Sequence, residues 1–197
     1  MPTPASVVTD KRIAVMVVDG LEEVECLAVV DVLFRAGIGA DLLSISDSLE
    51  VTSSHGIHLR CDALASQVDL ASYALMFLPG GMPGTLNLGA SALVTDEVRR
   101  RSAAGQPLAA ICAAPSILAE HGALQARHAT ANPGFMDAIA AGGALMSEAA
   151  VVRDANLITS RGMGTATELG FEIIRLLLGD DAEQVVASVK QGIVYQR

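Results

Sequence analysis

The sequence predicts a doubly wound α/β fold, with a mainly parallel sheet and helices on both faces. Short apolar runs at Ile13–Val18, Ala40–Ile45, Ala74–Leu78, Leu108–Ile111 and Leu157–Ser160 alternate with segments of helical spacing, the order that builds βαβ units. The residues are 51% hydrophobic but only 3% aromatic. The core is therefore expected to be Ala, Val, Leu and Ile, as in strands covered on both faces. Sharp turns, carrying glycines, a cysteine or an acidic helix start, follow three of the strands. They lie at the carboxyl edge, where such sheets bind ligands.

A length of 197 residues fits one domain with a real core. Pro, Thr and Ser in residues 1–10 predict a loose tail ahead of a single domain over 11–197. That tail lacks a basic stretch followed by an apolar one, so it does not read as a signal peptide. A net charge of −9 argues against a nucleic-acid partner. No run is long enough to span a bilayer. Three widely spaced cysteines do not make a disulfide framework and fit a reducing, cytoplasmic setting. Without a CxxC pair or HxxxH spacing, no metal site is expected.

The elements follow in order. Ile13–Val18 is a buried strand, punctuated by Asp19-Gly20. Glu22-Glu23-Val24-Glu25 opens a helix with acids in its first turn, and Gly37 suits its end near Ala36. That helix is apolar on most faces, so it is expected to be buried on both sides or to lie at a subunit interface. Glu25 sits among apolar neighbours. It reads either as one more first-turn carboxylate or as a desolvated carboxyl that keeps its proton near neutrality. After the Ala40–Ile45 strand, Ser54-His55-Gly56 turns a hairpin. Cys61 reads as packing. Ala74–Leu78 ends in Pro79-Gly80-Gly81, where glycines let backbone amides approach a ligand. Leu88-Gly89 is expected to break the next segment before a helix over 92–103, and Arg99-Arg100-Arg101 reads as a solvated face.

Leu108–Ile111 ends abruptly in Cys112, followed by Ala113-Ala114-Pro115 and a helical pattern that closes near His121-Gly122. A thiol at such a strand–turn–helix bend has the geometry of a nucleophile elbow, and a helix N-terminus there is expected to lower its pKa. The alternative is a small buried core residue. Asn132-Pro133 begins another turn and a helix to about Ala141. Asp154-Ala155-Asn156 turns a hairpin into Leu157–Ser160. Arg161–Thr165 then leads into a long helix with the stripe Ala166, Leu169, Gly170, Ile173, Ile174 and Leu177. A final amphipathic helix carries Ala182, Val185, Val186 and Val189.

Four stretches occur in order at suitable spacing: Gly20-Leu21-Glu22-Glu23-Val24-Glu25, Leu78-Pro79-Gly80-Gly81, Ala109-Ala110-Ile111-Cys112-Ala113-Ala114-Pro115 and Thr159-Ser160-Arg161-Gly162-Met163-Gly164-Thr165. With them the chain resembles the ThiJ/PfpI superfamily, in the branch of the Parkinson-associated deglycase and bacterial YajL. The resemblance implies a flavodoxin-like sandwich and a homodimer. It makes Cys112 the nucleophile and Glu25 the protonated carboxyl that hydrogen-bonds it. It implies an oxyanion hole from the amides of Gly81 and Ala113, with Gly80 in the substrate site. Arg35 matches an arginine of an anion-binding patch, and His55 stands where that patch has a second arginine. Relatives often carry a histidine before the proline that Pro133 matches; here the residue is Asn132, which does not shuttle protons.

The resemblance implies cofactor-free chemistry on reactive dicarbonyls, as a glutathione-independent glyoxalase or a deglycase of glycated proteins. The rival reading is an oxidative-stress sensor or redox-regulated chaperone using the same cysteine. A peptidase is disfavoured, because Ala113 stands where the protease branch has a histidine. A class I glutaminase is set aside, because no histidine follows His128.

Overall fold

In the computed structural model, which describes residues 6–196, the first apolar run forms β1 (Arg12–Val17), followed by α1 (Glu23–Arg35) and β2 (Gly39–Ser44). A hairpin of β3 (Glu50–Thr52) and β4 (His58–Arg60) precedes the short β5 (Ala63–Leu64). Then come β6 (Leu75–Leu78), α2 (Gly84–Ala90), α3 (Ala92–Ala104), β7 (Leu108–Ile111) and α4 (Pro115–Glu120). The chain continues through β8 (His128–Ala129), α5 (Met136–Ala141), β9 (Leu145–Met146), β10 (Val151–Asp154) and β11 (Leu157–Ser160), and closes with α6 (Ala166–Leu178) and α7 (Ala182–Gly192).

Seven strands make one sheet in the order β10-β11-β7-β6-β1-β2-β5. All neighbours are parallel except β10 and β11, the antiparallel hairpin expected around Ala155. Alternation sorts the strand residues into two cores. Ile13, Val15, Val17, Phe77, Ala109, Ile111 and Ile158 share one core with residues of α1, α6 and α7. Ala14, Met16, Met76, Leu78, Leu108 and Ala110 share the other with residues of α2, α3, α4 and α5. The parallel order brings the carboxyl ends of β1, β6, β7 and β11 to one edge.

Two expectations change. The segment after Gly84 is helical through Leu88-Gly89, and the break falls at Ser91, whose N–H donates to Leu88 O (3.1 Å). Gly89 lies inside α2 rather than ending it, and a side chain there would meet Ile117 at an ordinary 3.7 Å. Arg101 is not solvated; it is 0% exposed. Val94, Val98 and Arg101 are spaced i, i+4, i+7 and lie on the buried face of α3. Of the expected tail, residues 1–5 lie outside the described part, and Val8 N–H donates to Gly37 O (3.0 Å). Among the described residues no helix is long and apolar enough to cross a membrane.

Candidate active site

β7 ends at Ile111, and Cys112 turns the chain with φ +64°, a conformation that costs a residue with a side chain about 1–3 kcal/mol. Strict alternation would send residue 112 to the side of Leu108 and Ala110. The left-handed turn reverses it, and Cys112 packs against the core shared with α1 and α6. The turn is tied on both sides. Cys112 N–H donates to Ser160 O (2.9 Å), and Cys112 O accepts from Asn132 N–H (2.9 Å). Ala113 and Ala114 follow, buried, and Pro115 opens α4. The elbow read from the sequence is present.

Cys112 faces the start of α1. Glu22 is extended and caps that helix, its carboxylate accepting from Glu25 N–H. Helical geometry then carries Glu25 inward, where it is 2% exposed. Gly80 separates it from the cysteine. A Cβ on Gly80 would lie 2.4 Å from Glu25 Oε2 and 2.6 Å from Cys112 Cβ, so only glycine lets carboxyl and thiol share this space. Gly81 has φ +98°, and a Cβ there would come within 2.2 Å of Glu22 N. Glu22 N–H in turn donates to Gly80 O (2.9 Å), which makes the glycine turn and the start of α1 one unit. The third wall is the turn after β11. The hydroxyls of Ser160 and Thr165 lie 2.6 Å apart and hold it, and Met163 N–H faces the Glu25 carboxyl.

Burial raises the Glu25 carboxyl to about 7. The Cys112 thiol and the N–H groups of Gly80 and Met163 oppose that rise, while the charge of Glu22 adds to it. Oε2 is buried without a partner at hydrogen-bonding distance, so these neighbours act on it mainly through their fields. The thiol departs from expectation. Burial, then the Glu25 charge and its hydrogen bond, push Cys112 up to about 12, against the pull of the N–H groups of Ala113 and Gly81. A short helix that begins at a proline does not overcome a carboxylate and desolvation. Burial raises the thiol in either state of Glu25, and an ionised Glu25 raises it further. With the proton on Glu25 the charge contribution vanishes and the carboxyl becomes a donor to sulfur, so the hydrogen bond then lowers the thiol. Cysteine and acid therefore lose their first proton as a unit.

The structure gathers Cys112, Glu25, Gly80, Gly81, Ala113 and Asn132. Asn132 Oδ1 accepts from Gly134 N–H (3.1 Å). Its Nδ2 and Glu25 Oε1 each lie 3.7 Å from where a Gly162 side chain would begin. His55 is at the rim. Its Nδ1 pairs with Glu23 (2.9 Å), which raises the imidazole above its ordinary value. Burial works against ionisation of Glu23, but its own N–H, His55 and Ser53 hold it below the usual range. Arg35 is not brought to His55 within the chain. It pairs with Asp31 (2.7 Å) at the far end of α1, roughly 18 Å along the helix from Glu23 at 1.5 Å per residue. An alternating or helical pattern gives a residue's face but not its distance from a site. Glu22, Glu23 and His55 bring ligand-type atoms within 4.8 Å of one another. The helix cap and the ion pair account for all three. Glu22 and the Met163 amide went unassigned in the sequence; the spacing of an acid three residues before Glu25 is the capping signal that marks the first.

Residues 11–176 match the DJ-1/PfpI family. The chain belongs to that family. It is 36% identical to Protein dj-1beta of Drosophila melanogaster over 177 residues, covering 90% of this chain and 95% of that protein. It is 29% identical to the Glutathione-independent glyoxalase DJR-1.2 of Caenorhabditis elegans, covering 81% and 84%. The crystal structure of Drosophila melanogaster DJ-1beta superposes with a TM-score of 0.89 at 33% identity, covering 96% of this chain and 100% of that one. The sandwich expected from the four motifs is the fold of this DJ-1/PfpI member.

Proposed function

We propose that this DJ-1/PfpI protein is a cofactor-independent cysteine enzyme that converts 2-oxoaldehydes to 2-hydroxy acids. The observation that carries the reading is a nucleophile at a strained elbow, sharing its proton with a buried carboxyl across one glycine. The name of the Caenorhabditis relative supports the substrate class. The thiolate attacks the aldehyde carbon. A C–S bond forms, the carbonyl electron pair moves to oxygen beside the N–H groups of Gly81 and Ala113, and that oxygen takes the proton from Glu25. The Glu25 carboxylate then removes the C–H proton from the same carbon. The electrons pass to the neighbouring carbonyl as an enediolate; its second oxygen takes the proton of the first hydroxyl, and Glu25 returns its own proton to the second carbon. Sulfur is left in a thioester, which water cleaves to the hydroxy acid and free thiol. The internal redox step needs no outside reductant. Glycated adducts enter the same sequence if thiolate attack releases their amine.

The test is lactate formation from methylglyoxal without glutathione. The parent turns over, and Cys112→Ser and Glu25→Gln each fall by at least about a hundredfold, the scale of a lost nucleophile or acid–base group. A parent without turnover sinks the reading. Asn132 does not ionise near neutrality, so acid–base chemistry falls to Cys112 and Glu25. The rate is expected to rise once with pH, through the release of the first proton near 7. The rate should fall again when the pair loses its second proton, because the step at oxygen needs the acid form of Glu25; a profile without the rising limb would contradict that assignment.

The part-exposed apolar side chains of α1, Val24, Leu27 and Ala28, support a homodimer. A sedimentation experiment giving monomer alone would remove it. A domain over 11–197 acting in the cytoplasm completes the reading.

A further inference from the structure

Glu22 is absorbed neither by the reaction nor by the rim ion pair, yet it bonds to the glycine turn and to the start of α1, the two segments that bring Glu25 to Cys112. Its N–H donates to Gly80 O (2.9 Å), its carbonyl accepts from Cys26 N–H (3.2 Å), and its carboxylate accepts from Glu25 N–H. Serine, threonine, aspartate and asparagine are the usual side chains at an N-cap. A glutamate there satisfies the same N–H but also fixes a negative charge beside the one buried acid of the site. We propose that Glu22 is the positioning residue of the pair: it holds the Glu25 main chain against the thiol, and its charge keeps the shared proton in place.

The groups that face Glu25 are few. The thiol of Cys112 comes from the end of β7, and the Gly80 and Met163 amides come from the turns after β6 and β11. Among the described residues, Glu22 is the other charge that acts on the carboxyl, and it opposes ionisation. A neutral residue in its place that still accepts from Glu25 N–H leaves the geometry and removes the field. Glu25 then releases its proton more readily, and the pair ionises at lower pH.

The inference rests on the Cys112–Glu25 pair of the proposed function but not on its substrate, because the readout is alkylation. The second-order rate of iodoacetamide with the full chain is followed from pH 4 to 10. The Cys112→Ser chain is subtracted, since Cys26 and Cys61 are buried and their thiols are pushed up by burial. Glu22→Gln is expected to move the half-maximal pH down by about half a unit or more, the effect of removing one charge a few ångströms away in a water-screened site. Glu22→Ser, a strong neutral cap, should move it the same way, and Glu22→Asp, which keeps the charge, should move it less. Thermal melts identify variants that fold, and the two neutral caps make the result independent of either one. A folded neutral variant with the parent's profile overturns the inference. So does a parent rate that does not level off below pH 10. A chain that passes while turning over no dicarbonyl would retain the inference and lose the proposed function; one that fails while making lactate would do the reverse.

Discussion

Gly80→Ala is expected to lower methylglyoxal turnover and Cys112 alkylation at neutral pH by about a hundredfold or more, while the chain still folds. The added Cβ would sit 2.4 Å from Glu25 Oε2, 2.6 Å from Cys112 Cβ and 2.9 Å from Ile111 O. Carbon atoms at rest keep about 3.5–4.0 Å, so something must move. Ile111 O belongs to β7, and Cys112 is tied to Ser160 and Asn132. The Glu25 carboxyl is the free end of a side chain and moves first, and the remaining contacts with Cys112 Cβ and Ile111 O force the Gly80 turn to shift as well. The methyl then occupies the space through which acid and thiol share their proton. The cost is steric, because Gly80 does not take a positive φ. Gly192→Ala is the control: nothing lies within 4 Å of its added carbon. Gly80→Ala with the parent's kcat/KM would show that the thiol works without the acid.

Cys112 was legible because an apolar run stops at a thiol followed by two alanines and a proline. Glu25 was legible as an acid with apolar neighbours. What decides its role is not local. Glu22, Glu23 and Glu25 are three carboxylates within four positions, and the sequence does not say which points inward. That follows from Glu22 staying extended while Glu23 starts the helix. The thiol's proton affinity was misread for a related reason. A helix N-terminus is a local feature, but the Glu25 charge reaches Cys112 from another element entirely. β5, β8 and β9 have two residues each, too few for any periodicity to mark. The hairpin at His55 and the turn at Asn132-Pro133 were visible, because glycine and proline punctuate them.

Arg101 is the second large expectation, and it concerns stability. Reading Arg99-Arg100-Arg101 as a linear run hides that α3 turns the third arginine into the core. Its Nε donates to Glu97 (2.7 Å), Nη2 to Leu70 O (2.7 Å) and Tyr73 O (2.8 Å), and Nη1 to Pro107 O (3.3 Å). Burial lowers its pKa, and the bond and charge of Glu97 oppose that, so the cation is kept by its partners. Arg101→Met fills much of the same volume but removes the guanidinium from three carbonyls, of which Leu70 O and Pro107 O keep long backbone bonds (3.3 Å each) from Tyr73 and Met76 N–H. Glu97 retains Arg100 (2.7 Å), so the loss falls mainly on those carbonyls. The expected cost is about 3–5 kcal/mol in urea unfolding, the scale of losing several hydrogen bonds from a charged donor at about 1.5–3 kcal/mol each, less what the buried methionine regains. For a chain of this size it lowers Tm by about 10 °C or more. Arg101→Lys should recover little, since an ammonium does not reproduce the fork that spans the carbonyls. Leu70, Tyr73 and Pro107 precede the amino ends of β6 and β7, while Gly80 and Cys112 follow their carboxyl ends. Turnover per folded molecule, measured well below the melt, should therefore match the parent. A loss under about 1 kcal/mol would mean that water or a shifted α3 supplies the missing donors.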